Sequence, residues 1–270
     1  MKIISLNVNR FGGDGESFEA VKKHHTFYHD YRDYREALSD WDSRPKTQSI
    51  QGIIEIVKNQ IPDILVLQEY DFKSTDSRGS NGFEDKMTKL GYHVTPREFD
   101  GERPSVTVMF VKNDLISREG NNPHQAKGSP TDRAHVIEID DIVIYGTHVP
   151  FSSENNPQKA ENYWDELLDF YDRNKGRKVI LIGDFNTYDE DKSIRKYYHN
   201  LLAANASDVW LKLGNPNWTP TEKKHKGRLD YAFASPAMIE HISSMQIYPQ
   251  NEEFDDWTLS DHAALILSID

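Results

Sequence analysis

No cysteine occurs in the 270 residues, which excludes a disulfide framework, a thiolate metal site and a thiol nucleophile. That absence suits a reducing cytosol and equally suits secretion in organisms that avoid disulfides. Long apolar runs are missing too. No stretch approaches the roughly 20 residues of a membrane helix. The opening Met1-Lys2-Ile3-Ile4-Ser5-Leu6 turns polar at Asn7, too soon for an export signal. The expectation is a cytoplasmic protein with no membrane association and no obligate protein partner. Positive charge is the third scarcity: 32 Lys and Arg face 44 Asp and Glu, a formal charge of −12. Such a chain does not coat nucleic acid by charge alone. It can still act on a few phosphates when a bound cation supplies the missing positive field.

What is present begins with hydrophobic content of 37% at a mean hydropathy of −0.74, a core under a very polar surface. The length fits one large domain, 1–270. Its centre is Lys178-Val179-Ile180-Leu181-Ile182-Gly183-Asp184-Phe185-Asn186, in which four consecutive aliphatics read as a strand buried on both faces. The strand delivers a carboxylate and an amide at its carboxyl end, where α/β folds place their chemistry. Three other apolar runs end the same way, on Asn7, Glu69 and His148, and a fifth element opens with Asp261-His262.

In chain order, 2–8 reads as a strand, 47–60 as a helix with Ile50, Ile53, Ile54 and Val57 on one face, and 63–69 as a buried strand. Strand, helix and strand in close succession imply a crossover and parallel pairing. Strands at 105–111, 134–139 and 142–148 follow, the last two joined by a tight turn at Asp140-Asp141. Pro157 opens an amphipathic helix closed by Gly176, and a further helix lies near 193–203. Strands at 229–234, 245–248 and 263–269 complete the chain. The alternation indicates a single α/β domain with mixed sheets. One polar, aromatic-rich excursion interrupts it at about 11–46. His25 and His29 there have the i, i+4 spacing of a helical metal pair, though an exposed polar helix explains them as well.

Each polar strand end has an ordinary explanation by itself. Glu69 could form a salt bridge, Asp184 and Asn186 an Asx turn, His148 a satisfied core histidine, and Asp261-His262 an element cap. Taken together, Asn7, Glu69, His148, Asp184, Asn186, Asp230, Asp261 and His262 form a set of hard oxygen ligands, amides and imidazoles. Carboxylate oxygens with open water positions suit Mg²⁺, Mn²⁺ or Ca²⁺. Imidazoles beside them suit proton transfer or stabilisation of a phosphoryl oxygen. An acid-rich site acts on an anionic phosphate only with a cation between, so metal-assisted phosphoester hydrolysis follows more naturally than a purely acid–base mechanism.

Six stretches carry a family resemblance: Leu6-Asn7-Val8-Asn9, Leu67-Gln68-Glu69, Gly146-Thr147-His148, Gly183-Asp184-Phe185-Asn186, Arg228-Leu229-Asp230-Tyr231 and Ser260-Asp261-His262. In this order they resemble the signatures of the endonuclease/exonuclease/phosphatase superfamily. The resemblance implies a four-layered α/β/β/α sandwich, two mixed β-sheets face to face with helices outside and the site at one end. It implies Glu69 as the principal metal ligand, supported by Asn7 and Asp261. Asp184, helped by Asn186, would orient or deprotonate the attacking water. Asp261 would hold His262 against the scissile phosphate, His148 would stabilise the transition state, and Asp230 would position an imidazole or a second cation. Arg133 resembles an arginine that pancreatic-type deoxyribonucleases aim at the site.

Substrate is set by rim loops rather than by fold. The most basic run, Lys223-Lys224-His225-Lys226-Gly227-Arg228, reads as a phosphate-gripping loop through Lys224, Lys226 and Arg228, or equally as a solvated turn. Trp218 upstream could stack on a base or simply pack. The leading expectation is a nuclease or phosphodiesterase with nucleic acid as substrate. A phosphomonoesterase acting on a small metabolite stands second, and a catalytically silent binding module third.

Overall fold

The computed structural model describes residues 1–11, 43–70, 82–95, 106–124, 131–151, 157–187, 194–216, 219–223, 226–249 and 256–270. His25, His29 and nearly all of the 11–46 excursion lie outside these residues.

The described strands are β1 (Lys2–Asn7), β2 (Ile64–Tyr70), β3 (Tyr92–Val94), β4 (Val106–Lys112), β5 (Ser117–Glu119), β6 (Ala134–Ile139), β7 (Ile142–His148), β8 (Lys178–Asp184), β9 (Ser207–Asp208), β10 (Asp230–Ala234), β11 (Ile242–Tyr248) and β12 (Ala264–Ile269). The helices are α1 (Ser43–Gln60), α2 (Phe83–Lys89), α3 (Pro157–Asn174), α4 (Arg195–Ala203), α5 (Val209–Lys212) and α6 (Pro236–Ile239). Two six-stranded sheets result, in the orders β11-β12-β1-β2-β4-β3 and β5-β6-β7-β8-β10-β9. Each is mixed. β1 and β2, linked through α1, are parallel, as are β7 and β8, linked through α3; the remaining pairs are antiparallel.

Alternation along the strands assigns the layers. Ile144, Ile180 and Ile182 join the large core shared with the first sheet, while Val143, Tyr145, Val179 and Leu181 face Tyr163, Trp164, Leu167 and Tyr171 of α3. On the other side α1 buries Ile50, Ile53, Ile54 and Val57, the stripe its 3.6-residue period marks out. The architecture is the four-layered sandwich that the motif resemblance implies.

Three features differ from the sequence-based expectations. The helix α1 starts at Ser43 rather than Thr47, with Pro45 in its first turn, where a missing N–H costs no helical bond. β3, β5 and β9 span only two or three residues and lie at or next to sheet edges, too short to carry a periodic signal. β4 and β6 join opposite sheets, a choice that two similar apolar runs do not encode.

The topology brings the polar strand ends together. Parallel pairing places the carboxyl ends of β1 and β2 side by side, and likewise those of β7 and β8. The antiparallel β10 and β12 bring their amino ends to that same edge.

Candidate active site

In the second sheet, His148 pairs with Asp184 and Asp184 with Asp230, so three adjacent strands present one row of candidate site residues. From the first sheet, Asn7 reaches across and its Nδ2 donates to Asp184 Oδ2 at 3.1 Å. The β2 ladder slips between Leu67 and Tyr70, and Glu69 adopts φ 53 at this irregularity. An extra residue of this kind re-aims a side chain. Asn9 (φ 43) and Asn186 (φ 47) are also left-handed. Such backbone costs on the order of 1–3 kcal/mol per residue and is characteristic of sites that the surrounding fold over-determines.

Asp184 is the hub. Its Oδ1 accepts from the backbone N–H of Asn186 at 2.9 Å. Around Oδ2 lie His148 Nε2 at 3.6 Å and His262 Nε2 at 4.0 Å, both beyond a direct hydrogen bond. His148 Nε2 also lies 3.7 Å from Glu69 Oε1. Arg133 approaches the same nitrogen at 2.9 Å through Nη1; a guanidinium only donates, so His148 accepts there. Asn186 Nδ2 donates to the Val149 carbonyl at 2.7 Å, and Val149 N–H donates to the Asp184 carbonyl at 2.8 Å. The Asn186 amide thus fixes the turn after β8 to the chain after β7.

His262 is held from several sides. Asp230 Oδ2 lies 2.8 Å from its Nδ1, its backbone N–H donates to Ser260 Oγ at 3.1 Å, and its carbonyl accepts from Trp257 Nε1 at 3.0 Å. The imidazole is therefore held by Asp230, which the resemblance gave as positioning an imidazole or a second cation, and not by Asp261, to which it gave His262. Antiparallel β10 carries Asp230 into place, a relation that local spacing does not reveal. Ser260 Oγ also donates to the Asn7 carbonyl at 2.5 Å, locking the Ser260-Asp261-His262 segment to the end of β1.

Electrostatics separate the two central groups. Burial drives the Asp184 carboxyl up to about 7; His262 pulls it down and Asp230 pushes it further up. For His262, burial opposes the charge, but Asp230, Asp184 and Asp261 outweigh it and hold the imidazole well above its ordinary value. An acid titrating near neutrality beside an imidazolium is a division of proton-handling roles. Asp261 is raised as well, by burial foremost, against the pull of His262 and with the repulsion of Glu69 and Glu222 added.

That repulsion bears on whether a cation fits. Glu69 and Asp261 are hard oxygen donors, and Glu69 adds to the cost of ionising Asp261, a cost a divalent cation between them would relieve. Among the described residues no three acidic or imidazole groups could enclose an ion by themselves. What the chain offers a cation is the carboxylates of Glu69 and Asp261, hard oxygen donors of the kind Mg²⁺ takes, so water or ester oxygens would have to complete the shell. The Asn7 amide is committed to Asp184 through Nδ2 and to Asn9 N–H through Oδ1 at 3.0 Å, which makes it a positioning group for Asp184 first.

The basic rim differs from expectation. Arg228 is buried and forms a two-pronged ion pair with Asp208, at 2.6 and 3.1 Å, beneath the Tyr231 ring; it does not face substrate. Its partner lies twenty residues upstream, on β9, so no local pattern betrays it. Lys226 is exposed, at φ 50. Trp218 and Lys224 lie outside the described residues. Sequence reasoning missed Thr221 and Glu222. Thr221 Oγ1 accepts from the N–H groups of Leu229 and Asp230 at 2.9 and 3.0 Å, and Glu222 bridges His262 through the backbone. A single threonine capping two amides leaves no sequence signature. The Ser-Asp-His triplet, by contrast, could have flagged Ser260.

A model of the Endonuclease/Exonuclease/phosphatase family matches residues 4–262. Among solved structures, an AP endonuclease from Archaeoglobus fulgidus is similar at 17% identity and a TM-score of 0.70, over 100% of this chain and 99% of that one. A 3′ phosphatase from Neisseria, solved bound to product DNA hairpin, is similar at 17% identity and a TM-score of 0.67, over 100% and 99% of the two chains. A 3′-5′ exonuclease from Neisseria meningitidis is similar at 18% identity and a TM-score of 0.67, over 100% of each chain. No curated protein matches the sequence. At these identities the structures share the fold of this chain. No helix among the described residues is long and apolar enough to cross a membrane.

Proposed function

This chain belongs to the endonuclease/exonuclease/phosphatase family, hydrolases of phosphoester bonds that are generally dependent on divalent metals, and from that premise we propose a nuclease or phosphodiesterase that cleaves nucleic-acid phosphodiester bonds, with Mg²⁺ as the preferred ion and Mn²⁺ or Ca²⁺ as alternatives. The observation that carries this reading is the clustering of His148 and His262 around Asp184 Oδ2, at 3.6 and 4.0 Å, with Glu69 3.7 Å from His148. The neighbour bound to product DNA hairpin supports nucleic acid as the substrate.

Each side chain has a distinct task in the reading. Asp184, titrating near neutrality, accepts the proton of an attacking water as its oxygen bonds to phosphorus, while the ester P–O bond on the far side breaks and the departing oxygen takes a proton from solvent. His262, charged and held by Asp230, donates to a phosphoryl oxygen as negative charge builds there. Arg133 and His148 form the opposite wall and bind the ester from the side of the second sheet. Asn7 and Asn186 keep Asp184 oriented. Glu69 and Asp261 would hold the cation, which when bound supplies Lewis-acid neutralisation of the phosphoryl charge.

The test is a panel of plasmid, single-stranded DNA, RNA, a bis-ester and a mono-ester, each with Mg²⁺ or Mn²⁺. Turnover of the polymers and the bis-ester is expected. Chelation should abolish it, and Glu69→Gln should reduce it by ~10²-fold or more. Exclusive turnover of the mono-ester would transfer the proposal to a phosphomonoesterase. Inertness on every substrate would leave a binding module.

A further inference from the structure

Among the described residues every Phe, Tyr and Trp is buried except Phe151, 55% exposed, and Tyr248, 40% exposed. Single exposed hydrophobics are ordinary when scattered. These are not scattered, because both stand at the end of the sandwich where the Asp184 cluster lies. Phe151 follows β7, three residues beyond His148. Tyr248 ends β11, which runs antiparallel to β12 and stops opposite Ala264, two residues past His262.

Each ring is tied to a site residue by a short, ordered path. Phe151 is two residues from Val149, which is held by Asp184 on one side and Asn186 on the other, at 2.8 and 2.7 Å. Tyr248 meets Trp257 edge-on, with centroids 5.7 Å apart, and Trp257 donates to the His262 carbonyl at 3.0 Å. One ring flanks the site from each sheet. β11 lies two strands out from β1, about 10 Å at the usual strand spacing. Platforms on opposite flanks fit a ligand that continues past the reacting ester in both directions.

Charge narrows what that ligand is. A chain of −12 cannot hold a polyanion by its general field, and Arg228 is spent on Asp208. Stacking is indifferent to that charge, and every nucleobase presents a π-face. We propose that Phe151 and Tyr248 are stacking platforms for unpaired nucleobases on the two sides of the scissile phosphodiester, which makes single-stranded or frayed nucleic acid the favoured substrate. This rests on the nuclease reading of the Asp184 site.

The experiment compares oligothymidylate with an oligomer of the same length built from abasic tetrahydrofuran residues, both in Mg²⁺. Wild type, Phe151→Ala, Phe151→Trp and Tyr248→Ala are assayed, with thermal melting as a check on folding. On oligothymidylate each alanine variant should lose roughly 5- to 150-fold in kcat/KM, chiefly through KM, while Phe151→Trp retains efficiency. On the abasic oligomer the wild type should be weakened to a similar degree, and the alanine variants should cost little more. Wild-type efficiency of both alanine variants on oligothymidylate would overturn the inference, and so would equal losses on the two oligomers. A wild type that cleaves plasmid or RNA but neither oligomer removes the inference alone, as does cleavage of both oligomers without regard to either ring; a wild type inert on the oligomers, plasmid and RNA alike removes the nuclease reading, and the inference with it.

Discussion

Asp184 carries opposing demands. In the proposed role its carboxylate takes a proton near neutral pH, yet it is buried beside a second carboxylate, Asp230, and both effects favour the protonated form. The consequence for stability has a definite sign. Unfolded, the group titrates near 3.8; folded, near 7. A folded pKa above the unfolded one contributes stability that is fully present below about 4 and is lost as pH rises through about 7. His262, also raised, weakens the fold in the same direction at higher pH, and most of its stabilisation survives without Asp184 because Asp230 is its closest partner. Asp184→Asn removes the buried charge and, with its amide oxygen kept toward the Asn186 N–H, gives up the bond from Asn7 Nδ2 and the longer one from Asn186 Nδ2. In chelator, urea unfolding of variant and wild type should therefore diverge in the variant's favour between pH 4.5 and 8, while turnover falls by ~10²-fold or more. A stability difference that does not move with pH would mean the carboxyl is not desolvated in solution.

Between β7 and β8 the elements meet at a point that tolerates no side chain. Gly183 has φ +142, and a Cβ placed there would stand 2.0 Å from the Thr147 carbonyl oxygen and 3.1 Å from Gln68 Nε2. The neighbouring residues on these strands are His148 and Asp184, paired in register. Gly183→Ala should destabilise the fold by about 2–5 kcal/mol, the sum of left-handed strain and overpacking, and should lower kcat in the fraction that remains folded by parting the two strands beneath the site. Denaturation midpoint and active-site-normalised kcat measure the two effects separately; a neutral outcome in both would show that β7 and β8 are not clamped at this level. Interior elements of this kind are what a sequence displays well. Aliphatic runs such as 179–182 can only be interior strands, and the polar residue ending each run is conspicuous against them. Edge strands of two or three residues have no room for a pattern, and the assignment of β4 and β6 to different sheets depends on which apolar face covers which. The same locality explains the site. Asn7, Glu69, His148, Asp184 and His262 announce themselves at strand ends, whereas the choice of His262 as the imidazole that Asp230 holds and the withdrawal of Arg228 to Asp208 are contacts across the fold.

At the scale of the whole molecule, a surplus of acid is concentrated where an anionic substrate would react. The net charge of −12 acts against compactness everywhere, but the Glu69, Glu222 and Asp261 group adds a local repulsion that dilute monovalent salt screens poorly, because Asp261 is largely buried. A divalent ion bound to the folded state alone stabilises it by RT ln(1 + [L]/Kd), about 2.7 kcal/mol at a hundredfold excess over Kd. For a domain of this size that corresponds to a rise in Tm on the order of 5 °C. General screening of the acidic surface would also raise Tm, and the two are separated by holding ionic strength constant with NaCl. Under that control, Mg²⁺ or Mn²⁺ should still raise the wild-type Tm, and Glu69→Gln should lose most of the increment. Asp141→Asn, on an exposed carboxylate paired with Lys178 far from the site, should keep it. If NaCl at matched ionic strength reproduces the whole effect, or if Glu69→Gln responds as the wild type does, the acidic end of the sandwich holds no specific cation, and the positive charge needed at the phosphate has to come from Arg133 and His262 alone.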